Sequence, residues 1–179
     1  GVPPTEAVLA DMQADVAGNN ATDAAFTAMD NSSFYSVTLK NFAAPWTNRD
    51  QSIFVPLNDY TATVIGMVRD DVPFNTLLSA NLVYVGTGGG IPAYSPTSND
   101  HYQALEDQNA DLKARLTASS QTAVSGLPDS ATAGVITTRA AAEAFFVAGT
   151  NRAMFRFTLL NHLGRDMEQV LDTRGVPDR

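Results

Sequence analysis

Residues 151–171 read NRAMFRFTLLNHLGRDMEQVL. This is the longest amphipathic run in the chain, and its reading decides the fold. Phe155 and Leu159 form one contact line, and Leu160, Leu163, Met167, Val170 and Leu171 form another. Side chains three and four apart share one side of a helix, so the spacing predicts a single long helix against which the others pack. Asn151 is a good cap for its start. Gly164, in its middle, costs about 1 kcal/mol relative to Ala and points to a close crossing or a kink. The run also holds Arg152, Arg156 and Arg165, and His162, one of two histidines.

Upstream, the same spacing recurs in shorter pieces. Thr5 caps a helix whose stripe is Val8, Met12 and Val16, and Gly18-Asn19-Asn20 stops it. A short helix carries Ala25, Phe26 and Met29. Tyr35, Leu39, Phe42 and Trp46 follow at helical spacing, with Pro45 ending that helix near Ala44 and the only Trp plugging the core at its exit. Residues 47–57 form an irregular connector. Asn58 or Asp59 caps a helix with Tyr60, Val64, Met67 and Val68 on its inner face. Residues 74–82 predict a short helix with Phe74, Leu77 and Leu78 inward, and residues 83–85 a brief extended piece.

The loop at 86–100, GTGGGIPAYSPTSND, is the longest and reads as a mobile lip. His101–Thr117 predicts one helix, with Tyr102, Leu105, Asn109, Leu112 and Leu116 on one stripe. Residues 119–134 read as a second, linker-like loop. Thr137 caps an alanine-rich helix that Gly149 ends.

The sum is an all-α fold: an irregular orthogonal helical domain of seven or eight helices with long Gly/Pro loops. No repeat of fixed period is present, which argues against a solenoid. A chain of 179 residues suits one helical domain over 1–179, divisible into a 1–56 N-terminal part packed on a 57–179 core.

Net charge is −8, and it is uneven. Residues 1–150 hold 15 acidic and 6 basic side chains, residues 151–179 hold 4 acidic and 5 basic. The acidic body repels phosphate backbones, which argues against nucleic acid as a partner, and it steers cationic partners. There is no cysteine, so disulfides, thiol catalysis, Zn–Cys sites and a haem attachment motif are absent from these residues. No run is long and apolar enough to span a bilayer. The start, GVPPTEA, fits a processed mature protein, and the end after Arg179 predicts that the natural chain continues.

Candidate chemistry is sparse. GTGGG at 86–90 lacks the strand–helix setting of a dinucleotide fingerprint, and its plain reading is a flexible loop. Asp70-Asp71 follows a helix, has no third acid at ligand spacing, and reads as solvent-facing. His101 reads as a partly exposed residue near a helix start. His162 lies on an apolar line and is either a satisfied core histidine or a ligand or redox-partner contact. No HxxxH or HExxH supports zinc, and no G-x-S-x-G supports a serine nucleophile. Arg152 and Arg156 share a helix face, whereas Arg165 is expected to pair locally with Asp166 and Glu168. No catalytic residue and no metal site emerge.

Four segments carry a resemblance: RDDVPFNTLLSANLVYVG at 69–86, HYQAL at 101–105, AGVITTRAAAEAFFVAGTNRAMFRFTLLNHLGRDM at 133–167, and DTRGVPDR at 172–179. They resemble helical domains of uncharacterised multidomain c-type-cytochrome-like proteins of planctomycetes and marine bacteria. In those proteins such domains surround or precede a haem-binding CxxCH segment. Here CxxCH is missing, so the resemblance implies that haem c lies beyond residue 179 or on a partner. It also implies export, to the periplasm or beyond. It supplies no catalytic residues to carry over.

The expectation is therefore an exported helical domain that scaffolds or gates a haem in electron transfer. Its partner is a haem-bearing segment or cytochrome, and His162, Met167 and Arg156 are the residues placed nearest the haem. Two other readings stand beside it: a non-enzymatic subunit-interaction module, and part of an oxidative or hydrolytic enzyme.

Overall fold

Residues 59–69, DYTATVIGMVR, carry no charge between Asp59 and Arg69, and their side chains are small or apolar on every side. A helix of that composition has no face to give to water. Every residue from Asp59 to Met67 is buried. The remaining elements are arranged around this helix. The computed structural model describes residues 2–148 and 151–169.

In chain order, α1 (Glu6–Ala17) and α2 (Ala21–Met29) form a hairpin. A continuous helical passage follows: a π-helical turn at Phe34–Leu39, α3 (Lys40–Ala43) and a 3-10 turn at Ala44–Thr47. The central helix is α4 (Asp59–Arg69). Then come β1 (Val83–Gly86), α5 (Asp100–Asp107), α6 (Leu112–Arg115), β2 (Leu116–Ser119) and α7 (Gln121–Ser125). The last elements are α8 (Arg139–Ala142), a π-helical turn at Glu143–Val147, and α9 (Asn151–Leu163). The described residues are mostly helical, with one small antiparallel sheet that pairs Val83 with Ser119 and Gly86 with Leu116.

Several caps follow the sequence reading. The Thr5 hydroxyl accepts the Val8 N–H, and Asn58 Oδ1 accepts the Thr61 N–H at 3.0 Å. α8 is capped by Thr138, one residue after the expected Thr137.

Close approach fixes two glycines. A Cβ on Gly66 of α4 would sit 2.1 Å from the ring of Tyr84 on β1. A Cβ on Gly86 would sit 2.5 Å from Leu105. The helix therefore lies directly on the small sheet, and α5 lies on the sheet's end.

Four sequence expectations change. The expected helix over His101–Thr117 stops at Asp107, because Asn109 turns left-handed (φ 48) and Asp111 caps a new short turn. The chain then runs into β2, which a helical reading of Leu112 and Leu116 conceals. Residues 74–82 hold only a 3-10 turn at Phe74–Thr76, with Phe74 exposed. The 119–134 loop contains α7 and a 3-10 turn at Asp129–Ala131. The long final helix ends at Leu163, where Gly164 adopts φ 61 and the Arg165 N–H returns to the Leu159 carbonyl. Among the described residues nothing lies within 4 Å of a Cβ on Gly164, so among them this glycine serves the turn and not a close crossing. Gly149, Val170, Leu171 and DTRGVPDR lie outside the described residues, as does the Asn151 side chain.

Candidate functional site

The 151–163 helix presents two sides. Inward, Ala153, Met154 and Phe157 are buried, and the Phe157 ring stacks on Phe145 with centroids 5.0 Å apart. Outward, Phe155 and Leu163 are exposed, with the half-buried Leu159 between them at i+4 along the same line. Phe155 is 57% exposed and Leu163 65%. The preceding π-helical turn also turns Phe146 and Val147 to solvent, Val147 at 83%.

The end of α9 is clasped to the body by His162. Its Nε2 stands 2.7 Å from the hydroxyl of Tyr60, the first helical residue after Asp59 and only 1% exposed. The two ring planes differ by 12° and their centroids are 6.3 Å apart. That is nearly the full reach of a phenol, a hydrogen bond and an imidazole laid end to end. Burial pushes the Tyr60 phenol up, and burial pushes His162 down from its usual range. Burial favours the neutral form of both, and the Tyr60 hydroxyl, which has no other acceptor among the described residues, donates to Nε2 with the imidazole proton on Nδ1. Trp46 packs edge-on against the imidazole at 5.5 Å, and Phe42 packs on Trp46 at 4.9 Å. Asn161 donates to the Trp46 carbonyl. His162 is therefore a half-buried, hydrogen-bonded histidine at the joint between α9, α4 and the 44–47 turn.

Arg156 makes a two-pronged ion pair with Asp166. Nε reaches Oδ1 at 2.9 Å and an Nη reaches Oδ2 at 2.8 Å. The guanidinium also lies 5.7 Å from the Phe157 ring centroid. The expected pairing of Asp166 with Arg165 is replaced by this one, because the Gly164 turn folds residues 165–167 back along α9. Met167 sits half-buried in the 3-10 turn at Met167–Gln169. Of the three residues expected near a haem, two are thus fixed by partners within the chain. Their contacts suit them to shape a surface; the Nε2 of His162 is engaged by Tyr60 and does not fit an axial ligand in this arrangement.

A second constellation was invisible in the sequence. Asp59 is fully buried and accepts four donors. Oδ1 takes the N–H groups of Tyr60 and Ala140, each at 3.0 Å, and Oδ2 takes the Arg139 N–H at 2.6 Å and the Tyr94 hydroxyl at 3.0 Å. One carboxylate therefore serves the first turns of both α4 and α8, and it pins the Gly/Pro loop through Tyr94. Burial pushes its carboxyl up, and the Ala140 N–H, the Arg139 side chain and the other donors pull it down. Beside it opens a cavity of about 440 Å³ lined by Val55, Pro56, Asn58, Asn99, Arg139 and Glu143, among others. The Asn58 amide donates to Thr47 and Pro56, and the Asn99 amide donates to Leu57. The wall thus spends its amide donors inside the fold.

His101 is buried, which corrects the partly exposed reading. Its Nε2 accepts the Gly86 N–H at 2.8 Å, and its Nδ1–H donates to the Pro92 carbonyl at 2.7 Å. It ties the 86–100 loop to α5 as a structural residue. Asp70 and Asp71 are exposed, as the sequence predicts, and Asp70 is also paired. It holds Arg69 through both oxygens and accepts the Tyr84 hydroxyl, and the Arg69 contact holds its carboxyl below the usual range.

Among the described residues, no group of three His, Cys, Asp or Glu is placed to hold a metal ion, and no helix is long and apolar enough to cross a membrane. No protein-family model, curated protein or solved structure matches the chain.

Proposed function

We propose that this chain is an irregular, orthogonally packed helical domain of an exported cytochrome-c-like protein. Its role is to dock and shield a haem-bearing segment in electron transfer, the segment belonging either to the continuing chain or to a partner. The observation that carries the reading is the exposed pair Phe155 and Leu163, with half-buried Leu159 between them, on a helix whose end is tied to α4 by the Tyr60–His162 hydrogen bond. A large apolar surface held on a rigid element is the form a docking face takes. Haem itself has apolar faces and carboxylate edges. The exposed Arg152 and Arg165 flank the line and suit those edges. His162, Met167 and Arg156 would support the face against which the haem-bearing segment rests. When bound, the haem supplies the one-electron chemistry; this chain supplies exclusion of water and orientation.

The test is a titration of the chain with a haem c peptide, followed through the Soret band. Saturable binding is expected, and Phe155→Asp with Leu163→Asp is expected to weaken it by tenfold or more, about 1.4 kcal/mol. Circular dichroism checks that the double variant stays folded. A Soret response equal in both proteins, or none in the wild type, refutes the reading.

A further inference from the structure

Five tyrosines are present, and the acceptors of four of their hydroxyls are defined. Tyr84 donates to Asp70, which Arg69 holds firmly ionised, so it is a weak base. Tyr94 donates to Asp59, whose oxygens already receive three backbone N–H groups. Tyr102 donates to the Tyr84 carbonyl, which does not take up a proton. Tyr60 alone among these donates to an imidazole, at 2.7 Å and nearly in line. Burial lowers His162 and raises Asp59, so geometry is what sets Tyr60 apart: Nε2 takes one donor, the Tyr60 hydroxyl, whereas the Asp59 oxygens take three N–H groups besides Tyr94.

This geometry matters because a phenol is hard to oxidise while its proton stays in place, and a buried phenol cannot pass the proton to bulk water. A base at hydrogen-bond distance removes that obstacle in a single step. Trp46, edge-on to the imidazole, places a second oxidisable ring beside the pair, and Phe42 beyond it reaches the surface.

We propose that Tyr60 and His162 form a redox-active pair that gives up one electron while the phenolic proton moves to His162. The O–H bond of Tyr60 breaks and an N–H bond forms at Nε2. The products are a neutral tyrosyl radical and an imidazolium protonated on both nitrogens. The electron passes to a one-electron oxidant strong enough to oxidise a phenol, of the high-valent metal-porphyrin class, which is reduced by one. Return of an electron to the ring, with the proton coming back from Nε2, restores the starting pair. The oxidant's place on the α9 face rests on the function proposed above; the pair's own chemistry does not.

The probe is therefore a freely diffusing oxidant, a photo-oxidised ruthenium tris-bipyridine complex with a sacrificial electron acceptor, applied to the whole chain. Transient absorbance and EPR report the tyrosyl radical. The wild type is expected to form it, more slowly in deuterated water than in water. Tyr60→Phe, which keeps the ring, is expected to remove most of the signal. His162→Phe is expected to slow formation about tenfold or more, equivalent to roughly 1.4 kcal/mol of barrier. A radical that survives Tyr60→Phe undiminished overturns the assignment. So does an unchanged rate in both His162→Phe and deuterated water, and the solvent comparison needs no variant to fold. Because the ruthenium complex needs no docked haem, failure here leaves the Soret titration standing, and failure of that titration leaves this result standing.

Discussion

Replacing Asp59 by Ala removes an acceptor that four donors share. Three are backbone N–H groups in the first turns of α4 and α8, and the fourth is the Tyr94 hydroxyl. A buried donor left without an acceptor costs about 1–3 kcal/mol. Removing one partner from a buried charged contact, here with Arg139 nearby, costs about 3–5 kcal/mol. These figures do not add, since a water entering the vacated space serves some of the donors. The expected loss for Asp59→Ala is therefore about 3–5 kcal/mol, a large part of the roughly 5–15 kcal/mol that holds a domain folded. Asp59→Asn keeps one oxygen for Tyr60 and Ala140 but turns amide hydrogens towards the Arg139 N–H and Tyr94. Its expected loss is smaller, about 2 kcal/mol. Urea unfolding followed by the fluorescence of Trp46, the only Trp, measures both with linear extrapolation. A loss below about 1 kcal/mol for Asp59→Ala refutes the view that this carboxylate joins the two helices. An Asn variant less stable than the Ala variant refutes it as well.

Two further perturbations probe the same frame. Gly66→Ala gains about 1 kcal/mol of helix propensity but drives a Cβ into the Tyr84 ring, at about 1–3 kcal/mol or more. The net expectation is a melting temperature lower by several degrees, and an unchanged or raised value contradicts direct packing of α4 on β1. His162 is held below its usual range in the fold, so the folded state binds a proton less readily than the unfolded chain. Its contribution to stability is present above the unfolded value of 6.5 and is lost as pH falls from there through the folded value. A pH series of urea midpoints should show this loss in the wild type and a smaller one in His162→Phe; equal slopes below 6.5 contradict a buried, neutral His162.

Local chemistry was legible in the sequence, and long-range pairing was not. Thr5 and the helix from 59 to 69 read correctly, and its cap was narrowed to Asn58 or Asp59, because a cap and a helical stripe are each set within a few residues. The centrality of that helix was missed, because Thr61, Thr63 and Gly66 dilute its hydrophobic signal although all are buried. Asp59 looked like a local cap, and its partners at 139 and 140 lie 80 and 81 residues away. Tyr60 and His162 are 102 apart, and no spacing rule relates them. Within the final run itself, the apolar pattern continues past Gly164 even though the helix does not. The pattern therefore hid a left-handed turn that brings Asp166 back to Arg156. The helix around which the others pack is α4, and Phe155 and Leu163, read as contacts of an organising helix, stand exposed on a face of α9.

That face is the central claim, and amide hydrogen exchange in the presence of a haem c peptide tests it most directly. Docking on Phe155, Leu159 and Leu163 predicts added protection that centres on residues 152–165, reaches the 143–147 turn, and leaves the α1–α2 hairpin unchanged. Protection that falls elsewhere, or none at peptide concentrations that saturate the Soret change, contradicts it.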